Sequence, residues 1–255
     1  MITLAISGKG GTGKSTISAL IIRWLAGTKG GPILAVDADP NVNLNDLLGL
    51  PLKETIGAIR EEMRAKISNL PGGMTKPQFL EYKIQSSLVE TKDFDLIAMG
   101  RPEGQGCYCY ANNLLQDVLH TLASSYKYVV IDNEAGMEHL SRRTRHSIDY
   151  LLMVSDPSPR GIATAGRISR LVAELEARVA KRYLILNRVP QPLPPSLQKA
   201  IEAERLELLA AIPEDQELLK MDREGIPIRS ISPDSPAGEA VSQMMMKLDL
   251  ERGRS

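Results

Sequence analysis

Apolar residues in this 255-residue chain gather into short, nearly unbroken runs. The runs are Ile2–Ile6, Ile33–Val36, Leu96–Met99, Tyr128–Ile131, Tyr150–Val154, Tyr183–Leu186 and Leu208–Ile212. A strand with one wet face alternates apolar and polar positions, whereas a strand covered on both faces reads as a continuous run, so these segments predict buried parallel strands. Helical stretches separate most of them. Just after the first run, Ile17, Leu20, Ile21 and Leu25 recur at the spacing of one helix face. The alternation predicts an α/β fold, a single doubly wound, mostly parallel sheet flanked by helices. Ligands bind such sheets at the carboxyl ends of the strands.

Three stretches depart from that rhythm. Residues 52–92 form a polar, mostly helical excursion broken by Pro71-Gly-Gly73 and Pro77, read as a cap on the sheet edge or a partner surface. Pro190-Gln-Pro-Leu-Pro-Pro195 reads as a rigid connection into a helix near Leu197–Leu206. The tail, Ala237–Leu250, carries Val241, Met244, Met245 and Leu248 at helical spacing. It has little basic charge opposite that stripe, so a docked closing helix fits it better than a helix lying on a membrane. Met244–Met246 read as packing gap-fillers. Residues 1–255 are expected to form one domain.

Charge narrows the function. The chain has 31 basic and 31 acidic residues, so no overall field attracts nucleic acid or an anionic membrane. No run approaches the roughly 20 apolar residues of a membrane span, and the first run reads as a core strand and not as a signal peptide. A cytoplasmic location is expected. The only cysteines, Cys107 and Cys109, are then poor candidates for a structural disulfide.

The chemistry starts where the first run ends. Gly8 to Ser15 satisfies G-x-x-x-x-G-K-[ST] between a strand and a helix. Its glycines let backbone amides curl around phosphate oxygens, and the helix presents its positive end. Gly8, Gly10, Gly11, Thr12, Gly13, Lys14, Ser15 and Thr16 are therefore the expected nucleotide cradle. Lys14 is assigned to the β and γ phosphates and Ser15 to Mg²⁺. Two later strands end in carboxylates, Asp37-Ala-Asp39 and Asp132. Leu186-Asn-Arg-Val-Pro190 closes another strand without the lysine and aspartate of a guanine-reading Asn-Lys-x-Asp. Adenine is favoured, with Asn187 as the expected base contact.

A second lysine, Lys9, stands inside the loop. Lys9-Gly-Gly-Thr-Gly-Lys-Ser15 resembles the deviant Walker A motif of the MinD, ParA, arsenical-pump and nitrogenase iron-protein group. That resemblance implies a homodimer closing over ATP, with Lys9 reaching the partner's phosphates. It also implies that Asp39 positions the attacking water, that Asp37 supports Mg²⁺ through its water shell, and that Asp132 accepts from Mg²⁺-bound water. By the same resemblance Gly136 offers its amide to the γ phosphate, and Pro213 flanks the base. Glu134 stands where many relatives carry proline.

Gly104-Gln-Gly-Cys-Tyr-Cys-Tyr110 adds two thiols that can hold one soft metal ion but do not complete a four-sulfur site alone. A two-fold dimer supplies four. The wider segment Met99–Leu115, with Asp132-Asn-Glu-Ala-Gly-Met-Glu-His-Leu-Ser-Arg142, resembles the CooC-type nickel-insertion ATPases of carbon monoxide dehydrogenase. The resemblance implies an ATP-dependent homodimer that holds nickel, or zinc as a surrogate, at Cys107 and Cys109 of both subunits. Its client would be carbon monoxide dehydrogenase or acetyl-CoA synthase. His139 is a further candidate for coupling metal or partner to nucleotide; His120 and His146 read as structural or surface residues. Two other readings remain open on the residues: a MinD- or ParA-like positioning ATPase without metal, and an electron-transfer ATPase with a dimer-bridging iron-sulfur cluster.

Overall fold

The computed structural model describes residues 1–28, 30–65, 73–101, 122, 125–134, 147–175, 177–190, 192–232 and 234–250. The seven apolar runs become strands β1 (Ile2–Gly8), β2 (Ile33–Ala38), β4 (Asp95–Ala98), β5 (Tyr128–Asn133), β6 (Ile148–Ser155), β7 (Val179–Val189) and β8 (Leu208–Pro213). An eighth, β3 (Val89–Glu90), pairs antiparallel with β4 at the sheet edge. It lies inside the segment read as a helical excursion, and two residues are too few to leave a pattern. The sheet order is β3-β4-β2-β5-β1-β6-β7-β8, with every other pairing parallel.

Helices α1 (Lys14–Gly27), α2 (Leu44–Leu48), α3 (Ile56–Ala65), α4 (Lys76–Ser87), α5 (Pro159–Glu174), α6 (Pro195–Ala203), α7 (Gln216–Glu224) and α8 (Pro236–Lys247) cover the sheet. On one face α1 and α8 pack together, burying Ile17, Leu20, Ile21 and Leu25 against Val241, Met244 and Met245. The indole of Trp24 donates to Ser242 Oγ across that seam at 3.1 Å. The tail is thus a docked closing helix, although Met246 stays 67% exposed and fills no gap. On the other face α5 and α6 cover β6 and β7, while α3 and α4 cover β2 and β4. Lys83 on α4 ties the excursion together through Glu54 at 2.9 Å and Glu62, which hold its ammonium pKa above the usual value against the opposing effect of burial. No described helix is long and apolar enough to cross a membrane.

The strand order has one consequence for chemistry. β5 lies between β1 and β2, so the β1 end, Asp37 and Asp132 meet at one carboxyl edge, with Asp37 in register with Asp132. Successive strands depart in opposite directions around β1, which opens a crevice there.

Candidate functional site

The crevice is built first by glycine. Gly8 has φ +149°, and a Cβ there would lie 2.1 Å from the Val154 carbonyl oxygen of β6. Beyond it the Lys9 carbonyl accepts from Thr12 Oγ1 at 2.8 Å and from Lys14 Nζ at 3.4 Å, folding the loop onto itself. Gly13, at φ +89°, turns the chain into α1. Side chains cap α4, α5, α7 and α8 through Thr75, Ser158, Asp215 and Ser235, whereas α1, like α2 and α6, starts without a side-chain cap. An uncapped helix start leaves its amides and its partial positive charge for an anion. Gly10, Gly11, Gly13, Lys14, Ser15 and Thr16 line a cavity of about 580 Å³ that Asp39, Asn41 and Glu134 close from the other side. Lys9, in the same loop, is exposed.

Asp132 lies buried next to Ser15 and Lys14, 1% exposed. Its Oδ1 accepts from Ser18 Oγ at 3.1 Å, and among the described residues no donor is in hydrogen-bonding geometry to Oδ2. Burial pushes its pKa up to about 7, with Asp37 adding to the rise and Ser15, Ser18 and Lys14 opposing it. An orphaned buried carboxylate oxygen costs about 1–3 kcal/mol, which a cation would recover. The residues therefore fit Mg²⁺, with Ser15 and Asp132 as the groups that would hold it.

Asp37 anchors a loop. It is fully buried, and its oxygens accept from the backbone amides of Asp39 at 3.0 Å and of Asn43 and Leu44 at 2.9 Å each. Burial raises its pKa, with those amides opposing and Asp39 adding to the rise. These contacts make Asp37 the anchor of the loop from Asp39 to Leu44. Asp39 Oδ1 accepts from the amide and side chain of Asn41 at 2.8 and 3.1 Å. Val42 in this loop holds φ +48°, a strained setting for a β-branched residue.

Asn187 is 7% exposed, and its Nδ2 donates to the Thr12 carbonyl at 2.9 Å. Its Oδ1 accepts the Arg188 amide at 3.0 Å. The residue expected to touch the base thus also braces the phosphate loop. Pro213 lines a smaller side cavity of about 60 Å³ with Thr16, Asn187 and Leu218. Beneath it Asp215, 5% exposed, accepts from the amides of Glu217, Leu218 and Ala237 and from Ser235 Oγ. Burial opposes its charge, but these four donors hold its pKa below the usual carboxylate value.

Three polar residues enter beyond those expected. Ser18 binds Asp132; as a hydroxyl one turn after Lys14 in an otherwise apolar helix face, it carries a sequence signal. Asn133 donates to the Ile6 carbonyl at 2.9 Å and holds β5 to β1, and Arg188 reaches both cavities; neither has a pattern that singles it out. Gly136, the segment 104–110 with Cys107 and Cys109, and His120, His139 and His146 lie outside the described residues. Among the described residues no group of three or more His, Cys, Asp or Glu could hold a metal ion.

A glycine loop between a buried strand and an uncapped helix, facing a strand-end aspartate with an open oxygen, defines a P-loop nucleotide-binding protein. The chain belongs to the CobQ/CobB/MinD/ParA nucleotide-binding family, whose model matches residues 3–228. It is 40% identical over 247 residues to an uncharacterized ATP-binding protein of Methanocaldococcus jannaschii, covering 96% of this chain and 97% of that one. It is 31% identical over 242 residues to the carbon monoxide dehydrogenase accessory protein CooC of Rhodospirillum rubrum, covering 90% of each. In fold it is similar to the Mg-ADP complex of septum site-determining protein MinD from Pyrococcus horikoshii, with TM-score 0.69, 22% identity and coverage of 97% of this chain and 96% of that one.

Proposed function

We propose that this chain is a homodimeric ATPase that uses ATP to load or release a nickel ion during maturation of a nickel enzyme. The observation that carries the ATPase reading is the Asp132 carboxylate, with Oδ2 lacking a donor in hydrogen-bonding geometry, next to Ser15 and Lys14 of the P-loop. ATP would lie with its phosphates against Gly10–Thr16 and its adenine toward Asn187 and Pro213. Mg²⁺, held by Ser15 and Asp132, would neutralise phosphate charge. Lys14 stabilises charge on the transferring phosphoryl group, and Asp39 orients a water for in-line attack, giving ADP and inorganic phosphate. Asp37 holds the Asp39 loop in place by its three amide contacts. Lys9 is exposed, as a lysine that completes the site of a second subunit must be.

The metal reading rests on Cys107-Tyr-Cys109 and on the likeness to the carbon monoxide dehydrogenase accessory protein over most of both chains. Two subunits would supply four thiolates for nickel or zinc, and Gly136 and His139 would couple that site to the phosphates. The client would be carbon monoxide dehydrogenase or acetyl-CoA synthase, in the cytoplasm. ATP drives this cycle only by binding the closed dimer more tightly than the open one.

The test is an anaerobic nickel titration with sizing, with and without ATP, on wild type and a Cys107→Ser, Cys109→Ser variant. About one metal per dimer, lost in the variant while ATP binding persists, is the expected result. Cysteine-independent or absent metal binding overturns the metallochaperone reading and returns the protein to a positioning ATPase. A cluster absorbing in the visible would point to electron transfer.

A further inference from the structure

Arg188 stands on the boundary between the two cavities of the crevice. It lines the larger one with Lys14 and Ser15 and the smaller one with Pro213 and Leu218. Among the described residues only Thr16 and Asp222 share that double position, and Arg188 is the one basic residue along the smaller cavity. A nucleotide with its phosphates on the P-loop and its base toward Pro213 must pass this point.

The backbone here is shaped to place the side chain. The pairing of β7 with β8 loses register between Leu186 and Val189, the mark of a bulge, and bulges re-aim side chains at strand ends. Arg188 sits at φ +57°, a left-handed setting that costs a non-glycine residue about 1 kcal/mol or more. The turn is held by the Arg188 amide donating to Asn187 Oδ1, while Asn187 Nδ2 is tied to Thr12. Two consecutive side chains of one strand thereby serve the same crevice, the first buried against the phosphate loop and the second exposed at the rim. A regular strand would send them to opposite faces.

The smaller cavity sharpens the role. Arg188 lines it together with Pro213, Asn187 and Leu218. A base seated at Pro213 would therefore have the Arg188 side chain beside it. A planar, weakly hydrated guanidinium covers the face of a base well, and a compact ammonium does not.

We propose that Arg188 is a nucleotide-contacting residue whose guanidinium stacks on the purine and contributes affinity for the nucleoside half of the ligand. The proposal rests on the nucleotide reading of the crevice. Stacking is blind to the phosphate count, so it acts equally on ATP and ADP. It does not touch inorganic tripolyphosphate, which has no base.

The experiment is equilibrium binding of Mg-ATP, Mg-ADP and Mg-tripolyphosphate to wild type, Arg188→Ala, Arg188→Lys and Arg188→Gly, with thermal unfolding of each. All three variants are expected to lose about ten-fold in affinity for ATP and for ADP and to keep wild-type affinity for tripolyphosphate. Glycine accepts φ +57° without strain, so Arg188→Gly is expected to unfold no earlier than wild type and serves as the folded control. Wild-type ATP affinity in Arg188→Ala and Arg188→Gly overturns the proposal, as does an equal loss of tripolyphosphate, which would mark a phosphate contact or a damaged loop. Failure of wild type itself to bind ATP would overturn the nucleotide reading along with it.

Discussion

Asp132 and Asp215 are both buried aspartates at the carboxyl edge of one sheet, yet the protein treats them in opposite ways. Asp132 receives one hydroxyl and leaves an oxygen bare, and burial lifts its pKa to about 7. Asp215 receives three amides and a hydroxyl, and despite its burial those donors hold its pKa below the ordinary value. The first keeps an oxygen with no donor in hydrogen-bonding geometry among the described residues. The second is fully used in capping α7 and joining it to the start of α8. Burial of a carboxylate therefore says nothing of its role until its donors are counted.

Substitution should separate the two roles. Asp132→Ala is expected to lower Mg²⁺-dependent ATP hydrolysis by about two orders of magnitude or more while shifting the unfolding midpoint little. A variant that hydrolyses normally but melts early would reverse the comparison. Asp215→Ala removes the cap of one helix and a charge-assisted link to another, for about 3 kcal/mol, or about 10 °C in the unfolding midpoint. Its hydrolysis rate, measured well below the new midpoint, should stay within a few-fold of wild type.

The same contrast has a pH signature. Asp215 has a folded pKa below its unfolded one, so its contribution is fully present above the unfolded value and disappears as pH falls through the folded value. The stability gap between wild type and Asp215→Asn should be constant from about pH 6 to 8 and close below about pH 4. A gap that widened in acid would contradict the pattern of donors. The smallest expected effect is at Val42, where glycine relieves the left-handed strain but frees the unfolded chain. Val42→Gly should move stability by about 1 kcal/mol or less, and denaturant unfolding would show it.

Much of this site was legible in the residue order because its signals are local. A P-loop needs glycines, a lysine and a hydroxyl at set spacing between a strand and a helix, and Gly8 to Ser15 has them. Continuous apolar runs likewise announced seven strands, since burial on both faces removes the polar alternation. The two-residue β3 had no room for a pattern, and the exposure of Met246 depends on which side of α8 meets α1.

By itself, then, the sequence determined the fold class, the phosphate loop and the aspartates that close β2 and β5. Only the tertiary structure decided which aspartate keeps an open oxygen, which anchors a loop and which caps helices. It also decided that Asn187 braces Thr12 and that Arg188 faces the crevice. The reason is that donors for a buried carboxylate or amide come from residues distant in the chain. Ser18 is 114 positions from Asp132 and Thr12 is 175 from Asn187, and no local pattern records such pairings.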